Sequence, residues 1–374
     1  MQHEFISSVS DIKEPKSSNT MAAIINSLVN LVVGSQDDKN PATIDSKESG
    51  ASMTQLFPKV DKKIDGEDCD QDCTSCVVKY PKSFKIDEDD ELYGKLNEWS
   101  THLLVATGKS DWVRNIADEE GSIMETMVKL TDVKPNNGYL MLSASNMPTP
   151  SNPTNYTEPT TVLLLPAWLL IDNVTPKSVG TLISEFVNKS PTNSTVVLNR
   201  DAVISSKQNL LKTVGQLSSR PCPHSALIFL CSHGTRDARC SQSAPLLRKE
   251  FERHLREYGL YRDLDDERPG GVGIYFISHV GGHKYAANVM VYRKENAFGL
   301  DKVQSQHGTS DPLPQPRADE KNGLEGAAQC IRLARVKPED CMSIVKFTIL
   351  KGKVVKPEKQ LMGGFDRSRG LYSW

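Results

Sequence analysis

No arginine precedes Arg114. Mitochondrial presequences are Arg-rich and poor in acids, so the N-terminal region argues against import; the cytosol is the expected location and mitochondria the alternative. Long apolar runs are missing too: nothing approaches the ~18 residues that mark a membrane span, so no membrane partner is expected. Charge of one sign is also absent. The 45 basic and 47 acidic side chains leave a net charge of −2, which gives no electrostatic reason to expect nucleic acid or an anionic surface. Eight cysteines in 374 residues are too sparse for a disulfide scaffold, and in a reducing compartment they stay thiols able to ligate metal. The most apolar N-terminal stretch, "MAAIINSLVNLVVG" at Met21 to Gly34, lies too far in for a signal peptide and has no basic region directly before it. It reads as a short amphipathic helix.

Residues 1–65 are rich in Ser, Asn, Asp and Lys without a helical or strand period, and are expected to form a disordered tail. Beyond them the chain repeats itself. "HLLVATGKSDW" followed by the helical "SIMETMVKL" parallels "ALIFLCSHGTRD" followed by "APLLRKEFERHL". "GYLMLSASNMP" then parallels "GVGIYFISHVGGH", and "IDNVTPKSVGTLISEFV" parallels "LARVKPEDCMSIVKFTI", where Pro176 and Pro338 each open a helical turn. The unit runs strand, loop, helix, three strands, helix, which is the order of a thioredoxin-type sandwich. The expected fold is α/β: two tandem thioredoxin-like domains over residues 66–215 and 216–374, with a polar Pro/Gly-rich insertion at about 296–326 forming a surface loop.

The second copy alone carries metal-ligand residue types at its strand ends, where α/β sheets gather ligands. Cys231 and Cys240 flank the turn after "ALIFL", and His279 and His283 lie in a loop after "GIYFIS", loosened by Gly281 and Gly282. The first copy has Ala106 or Thr107 and "SASNMP" in their places. A Cys2His2 set admits zinc or a [2Fe-2S] cluster. The histidine spacing suits either, but structural zinc pairs usually sit as C-x2-4-C, and the wider C-x8-C loop suits a larger, two-iron group.

The combined C-x8-C and H-V-G-G-H-K-x-A-x-N-V pattern, with "STHLLVATGKSDW" and "RVKPED", resembles the fungal sucrase/ferredoxin-like family from about Cys69 to the C-terminus. The resemblance implies a soluble, non-catalytic electron carrier whose [2Fe-2S] cluster has Cys231 and Cys240 on one iron and His279 and His283 on the other. It also implies a role in oxidant tolerance or actin patch organisation. Two thiolates in place of four leave the oxidised cluster neutral rather than doubly negative, so it accepts an electron more readily. Each ring keeps a second nitrogen for a proton, which couples electron uptake to proton uptake.

Several signals remain. Cys222 in "RPCPH" is expected at the opposite end of the sheet from the ligands, and His233 is a spare ligand candidate. Arg236, Arg239 and Lys284 stand beside the ligands in sequence and would donate to sulfides or dock an acidic redox partner. Cys330 and Cys341 read as core cysteines in helical stretches. Cys69, Cys73 and Cys76 share the C-x3-C-x2-C spacing of four-iron radical enzymes, but such a motif follows the first strand of a barrel, whereas here it precedes a two-copy sandwich. The chain ends in "GLYSW", read as an exposed aromatic anchor; in the family it resembles the signal by which cytosolic iron-sulfur targeting machinery selects clients, with Trp374 as its key residue. Two competing functions fit less well. A thioredoxin-like thiol oxidoreductase needs C-x-x-C at a helix start, and only Cys73 and Cys76 are so spaced; a zinc-stabilised interaction protein would be colourless.

Overall fold

A computed structural model describes residues 50–150, 156, 158–196, 209–303, 312–316 and 326–374, and the backbone of 31–33. Fourteen strands among these residues form one mixed sheet. In chain order they are β1 (Leu31–Val33), β2 (Thr101–Ala106), β3 (Leu140–Ser145), β4 (Thr160–Leu165), β5 (Leu169–Val174), β6 (Thr213–Val214), β7 (Leu217–Pro221), β8 (Ala226–Cys231), β9 (Tyr261–Arg262), β10 (Val272–Ile277), β11 (Val289–Arg293), β12 (Gln329–Leu333), β13 (Leu361–Asp366) and β14 (Leu371–Tyr372).

The two halves of the chain share a strand-pairing pattern. In the first half β2 pairs parallel with β3 and antiparallel with β4, which pairs antiparallel with β5. In the second half β8 pairs parallel with β10 and antiparallel with β11, which pairs antiparallel with β12. The parallel strands β2, β3 and β8 are buried at every position, so their sequences are near-continuous apolar runs rather than alternating ones. Both halves then place a proline at the first position of a 3-10 turn, Pro176–Ser178 and Pro338–Asp340, and continue through a short α-helix into a π-helical stretch.

The halves are joined in one sheet through the antiparallel bridge Ile277↔Ser145 between β10 and β3. Side chains lock this seam: Ser278 Oγ accepts from the Ala144 amide at 3.0 Å, and Asn146 Oδ1 accepts from the Phe276 amide at 2.7 Å. Alternation along the strands then builds three cores. Leu103 and Val105 face one helical layer and Ile228 and Leu230 the other, while Leu104 and Leu163 of the first half share a third core with Leu227, Phe229 and Tyr292 of the second. His102 on β2 bonds to the Tyr292 hydroxyl on β11 at 3.1 Å, although β3, β10 and β8 separate these strands in the sheet. Laid flat, four strand spacings would be about 19 Å. The sheet therefore folds back on itself, and its halves face each other across the shared core.

Several sequence expectations change. Residues 50–65 are not part of a disordered tail: Met53–Leu56 and Lys62–Asp65 are short helices, and Leu56 and Phe57 are buried in the second half's core. The cysteine-rich stretch also packs on the second half, since Tyr80 donates to the Val336 carbonyl at 2.7 Å and the Cys73 amide to that of Glu339 at 3.0 Å. Of the helix expected at Met21 to Gly34, only Leu31–Val33 is described, and it is a strand parallel to β3. Cys330 lies on β12 rather than in a helix; Cys341 is helical, and both are buried. The insertion begins as core, not surface loop: Phe298 and Leu300 are buried, and Asp301 pairs with the buried Arg293. Residues 304–311 and 317–325 of it lie outside the described residues.

Candidate metal centre

Cys231 is the last residue of β8, paired in register with Ile277 at the end of β10, so His279 follows two residues beyond the same edge. The turn from β8 folds tightly: Arg236 and Asp237 amides both donate to the His233 carbonyl, and Asp237 caps the helix Ala238–Glu257 by accepting from the Arg239 amide at 2.9 Å. That cap sets Cys240 in the first turn of the helix. Cys231, Cys240 and His279 are all buried.

The two sulfurs meet. Cys240, with burial opposing it and His279 aiding it, holds the Cys231 thiol well below its usual range. The same contact, with burial, pushes Cys240 upward. His283 opens the 3-10 turn His283–Tyr285, and its side chain lies outside those described. Among the described residues no group of three or more His, Cys, Asp or Glu is gathered so as to hold one metal ion.

The loop between the histidines is fixed from several sides. Gly281 and Gly282 adopt φ of 93° and 70°, which favours residues without a Cβ. Asn288 Nδ2 donates to the Gly282 carbonyl at 2.9 Å. Beyond the turn, Ala286 and Ala287 both have positive φ, 58° and 47°, a strain of about 1–3 kcal/mol each that surrounding structure must hold. The Arg335 amide does part of this by donating to the Ala286 carbonyl at 3.1 Å.

Arg332 on β12 belongs to no motif and is singled out only by the fold. Its guanidinium is buried, donates through Nη2 to the Val280 carbonyl at 2.9 Å and lies over the Trp99 ring. Burial lowers its pKa, and the groups that oppose this are Cys330, Tyr292 and Cys231 rather than a carboxylate. Arg332 thus sets a buried guanidinium against the loop that carries His279.

The other candidates have separate duties. The His279 amide donates to His233 Nδ1 at 3.2 Å, which leaves His233 Nε2 as the protonated nitrogen, facing the carbonyls of Trp112 and Val113. Both nitrogens are engaged, so His233 orients the loop and is not a spare ligand. Arg239 forks onto Asp237 and Lys284 pairs with Asp90, so each faces a carboxylate. Cys222 sits beyond the start of β8, at the opposite end from Cys231, its amide bonded to the Trp168 carbonyl. In the first half Ala106 ends β2 as Cys231 ends β8, and the adjoining loop braces the site: Asp111 accepts from Thr235 Oγ1 at 2.9 Å and Ser232 donates to the Ser110 carbonyl at 2.6 Å. Trp374 is half-buried rather than exposed, packed on Trp99 with ring centroids 4.3 Å apart.

The family model described as Sucrase/ferredoxin-like matches residues 92–362. The chain is 28% identical over 247 residues to Actin patches distal protein 1 of Saccharomyces cerevisiae, a match covering 63% of this chain and 74% of that protein. It is 33% identical over 133 residues to Altered inheritance of mitochondria protein 32 of Clavispora lusitaniae, covering 36% of this chain and 33% of that protein. With the protein of the same name from Debaryomyces hansenii it shares 32% over 130 residues, 35% and 33% of the respective lengths. The match thus spans about a third of the length of each of these two. No solved structure matches.

Proposed function

Because the chain belongs to the sucrase/ferredoxin-like family, we propose that it carries electrons through a [2Fe-2S] cluster held by Cys231, Cys240, His279 and His283. The observation that supports this most is placement: Cys231 ends β8 opposite Ile277, His279 follows two residues beyond that edge, Cys240 stands in the first turn of the next helix, and all three are buried. A two-iron cluster with mixed ligands asks for one pair of donors per iron, which suits a site with two sulfurs at one turn and two histidines on the neighbouring loop. Each half of the fold is read as a thioredoxin-like unit, with only the second armed.

When bound, the cluster would supply one-electron redox chemistry at a potential above that of four-cysteine ferredoxins. The chain's own residues would do the rest. Cys231 and Cys240, as thiolates, would hold the sulfur side. Val280, clamped by Arg332, and Gly282, clamped by Asn288, keep the histidine loop in place, while Arg332 offsets the negative charge that reduction adds. His279 Nε2 accepts from the Gly281 amide at 3.1 Å, so a redox-linked proton at that nitrogen requires this bond to open. Proton uptake and a small loop movement would then accompany each electron.

The partners proposed are a soluble redox protein and, through Trp374, the cytosolic iron-sulfur targeting machinery; the location proposed is the cytosol. Among the described residues no helix is long and apolar enough to cross a membrane. The printed names of the relatives suggest a link to actin patches or mitochondrial inheritance, which extends here only as a proposal. The deciding experiment is anaerobic purification with iron and acid-labile sulfide counted per chain, alongside the visible spectrum. Two irons, two sulfides and a brown protein are expected; a colourless protein holding zinc or nothing ends the proposal.

A further inference from the structure

Of the three N-terminal cysteines outside the proposed cluster site, Cys73 and Cys76 meet the far end of the helix that carries Cys240. Cys69 packs among Val60, Phe347 and Val355, an apolar setting that leaves a thiol inert. Cys73 has different company. Its sulfur lies 3.6 Å from Arg253 Nη2 and 3.9 Å from His254 Nε2. Arg253 Nη2 also donates to His254 Nε2 at 3.0 Å, which makes that nitrogen the unprotonated one; it takes a thiol proton as the arginine shifts this N–H from the ring to the sulfur. Glu250, fully buried, holds Arg253 at 2.8 Å and accepts from the Val77 amide at 3.1 Å, fixing the chain just past Cys76. Thr74 and Ser75 form a turn between Cys73 and Cys76, and a turn brings its end Cα atoms within about 7 Å, near the span a disulfide bridges. Burial, with the Glu250 carboxylate contributing, keeps Cys76 above the usual thiol range.

We propose that Cys73 and Cys76 are a second redox site, a dithiol in which Cys73 attacks a small peroxide and Cys76 resolves the product. His254 takes the Cys73 proton, and the sulfur attacks one peroxide oxygen. An S–O bond forms as the O–O bond breaks, and the departing oxygen leaves as water once protonated. Cys73 is then a sulfenic acid. Cys76 sulfur attacks it, an S–S bond forms, the S–O bond breaks, and the hydroxide leaves as water with the Cys76 proton. Two thiols are oxidised, one peroxide is reduced and two waters are released. Cys73 is buried and Cys76 only half so, which admits a small oxidant and shuts out a bulky one. The site lies about 20 Å along the helix from Cys240, at 1.5 Å per residue, and does not depend on the cluster.

The test treats the full chain with one equivalent of hydrogen peroxide, blocks remaining thiols by alkylation and maps the products by mass spectrometry. A Cys73–Cys76 disulfide is expected before Cys222, Cys330 or Cys341 reacts, reversible with dithiothreitol. In Cys76→Ser a dimedone-reactive sulfenic acid should accumulate on Cys73. Arg253→Gln and His254→Gln, each with circular dichroism unchanged, should slow the reaction roughly tenfold by removing the cation or the base. The rate should be the same for chain carrying iron and for chain depleted of it with a chelator, which keeps iron chemistry out of the result. The proposal is overturned by a Cys69–Cys73 bond, by Cys73 reacting no faster than Cys330, by folded Arg253 and His254 variants that keep the wild-type rate, or by loss of the reaction when iron is removed.

Discussion

Arg332 Nη2 donates to the carbonyl of Val280, the residue after His279, at 2.9 Å, so a buried cation on β12 holds the loop that carries the histidines. The same guanidinium lies over Trp99, which Trp374 covers from another side. Three residues far apart in sequence thus form one support beneath the site.

Replacing Arg332 with Gln should act on stability and on redox together. The Val280 carbonyl loses a charged donor, a loss of about 1–3 kcal/mol read from urea unfolding. Removing a buried positive charge from against the loop that carries His279 should also lower the reduction potential in a spectroelectrochemical titration. A potential equal to wild type in a folded variant refutes the electrostatic role.

The ligands make a sharper set. Cys231→Ser or Cys240→Ser should abolish iron binding. His279→Cys should keep a cluster yet lower its potential and weaken its dependence on pH, because a thiolate adds charge and has no ring proton to exchange. A wild-type potential that stays flat from pH 6 to 10 would contradict the proton coupling outright.

Acid should destabilise the fold through two histidines remote from the ligands. Burial, helped by the charge of Arg332, lowers His102 to about 3, and burial lowers His224 to about 4. Both are neutral in the fold and protonate more readily when unfolded, near 6.5, so their contribution is complete above that pH and is lost as pH falls below it. At pH 5 the loss is about 2 kcal/mol for each histidine. Denaturant midpoints between pH 7 and 5 should fall accordingly, and His102→Gln should remove about half of the slope.

Deleting Trp374 should separate folding from cluster delivery. The lost stacking on Trp99 removes about 0.5–1.5 kcal/mol beyond the buried area, which leaves the chain folded. Iron content from the native host should drop, while chemical reconstitution in vitro should restore it. Equal loading in the host with and without Trp374 would remove the targeting role.

Much of this was legible in the chain because it is local. The buried runs of β2 and β8, Pro176 and Pro338 at their turn starts, and the placement of Cys231, Cys240 and His279 at one sheet edge all follow from short-range pattern. What escaped was set at a distance. Leu56 and Phe57 stand isolated in polar sequence, and only the second half's core reveals why they are buried. Cys330 lies on a strand of five residues, Gln329–Leu333, a run too short for periodicity to tell strand from helix. His233 looked like a ligand until both its nitrogens were accounted for. Arg332 and Trp374 depend on each other through Trp99, a relation no spacing encodes.

The back-folded sheet also limits how far either half could change alone. Asp111 of the first half buttresses the turn between Cys231 and Cys240, and Leu104 and Leu163 supply part of an oily interior that the second half does not complete by itself. The first half serves as masonry, and a surgically isolated C-terminal half would meet solvent with a bare apolar wall.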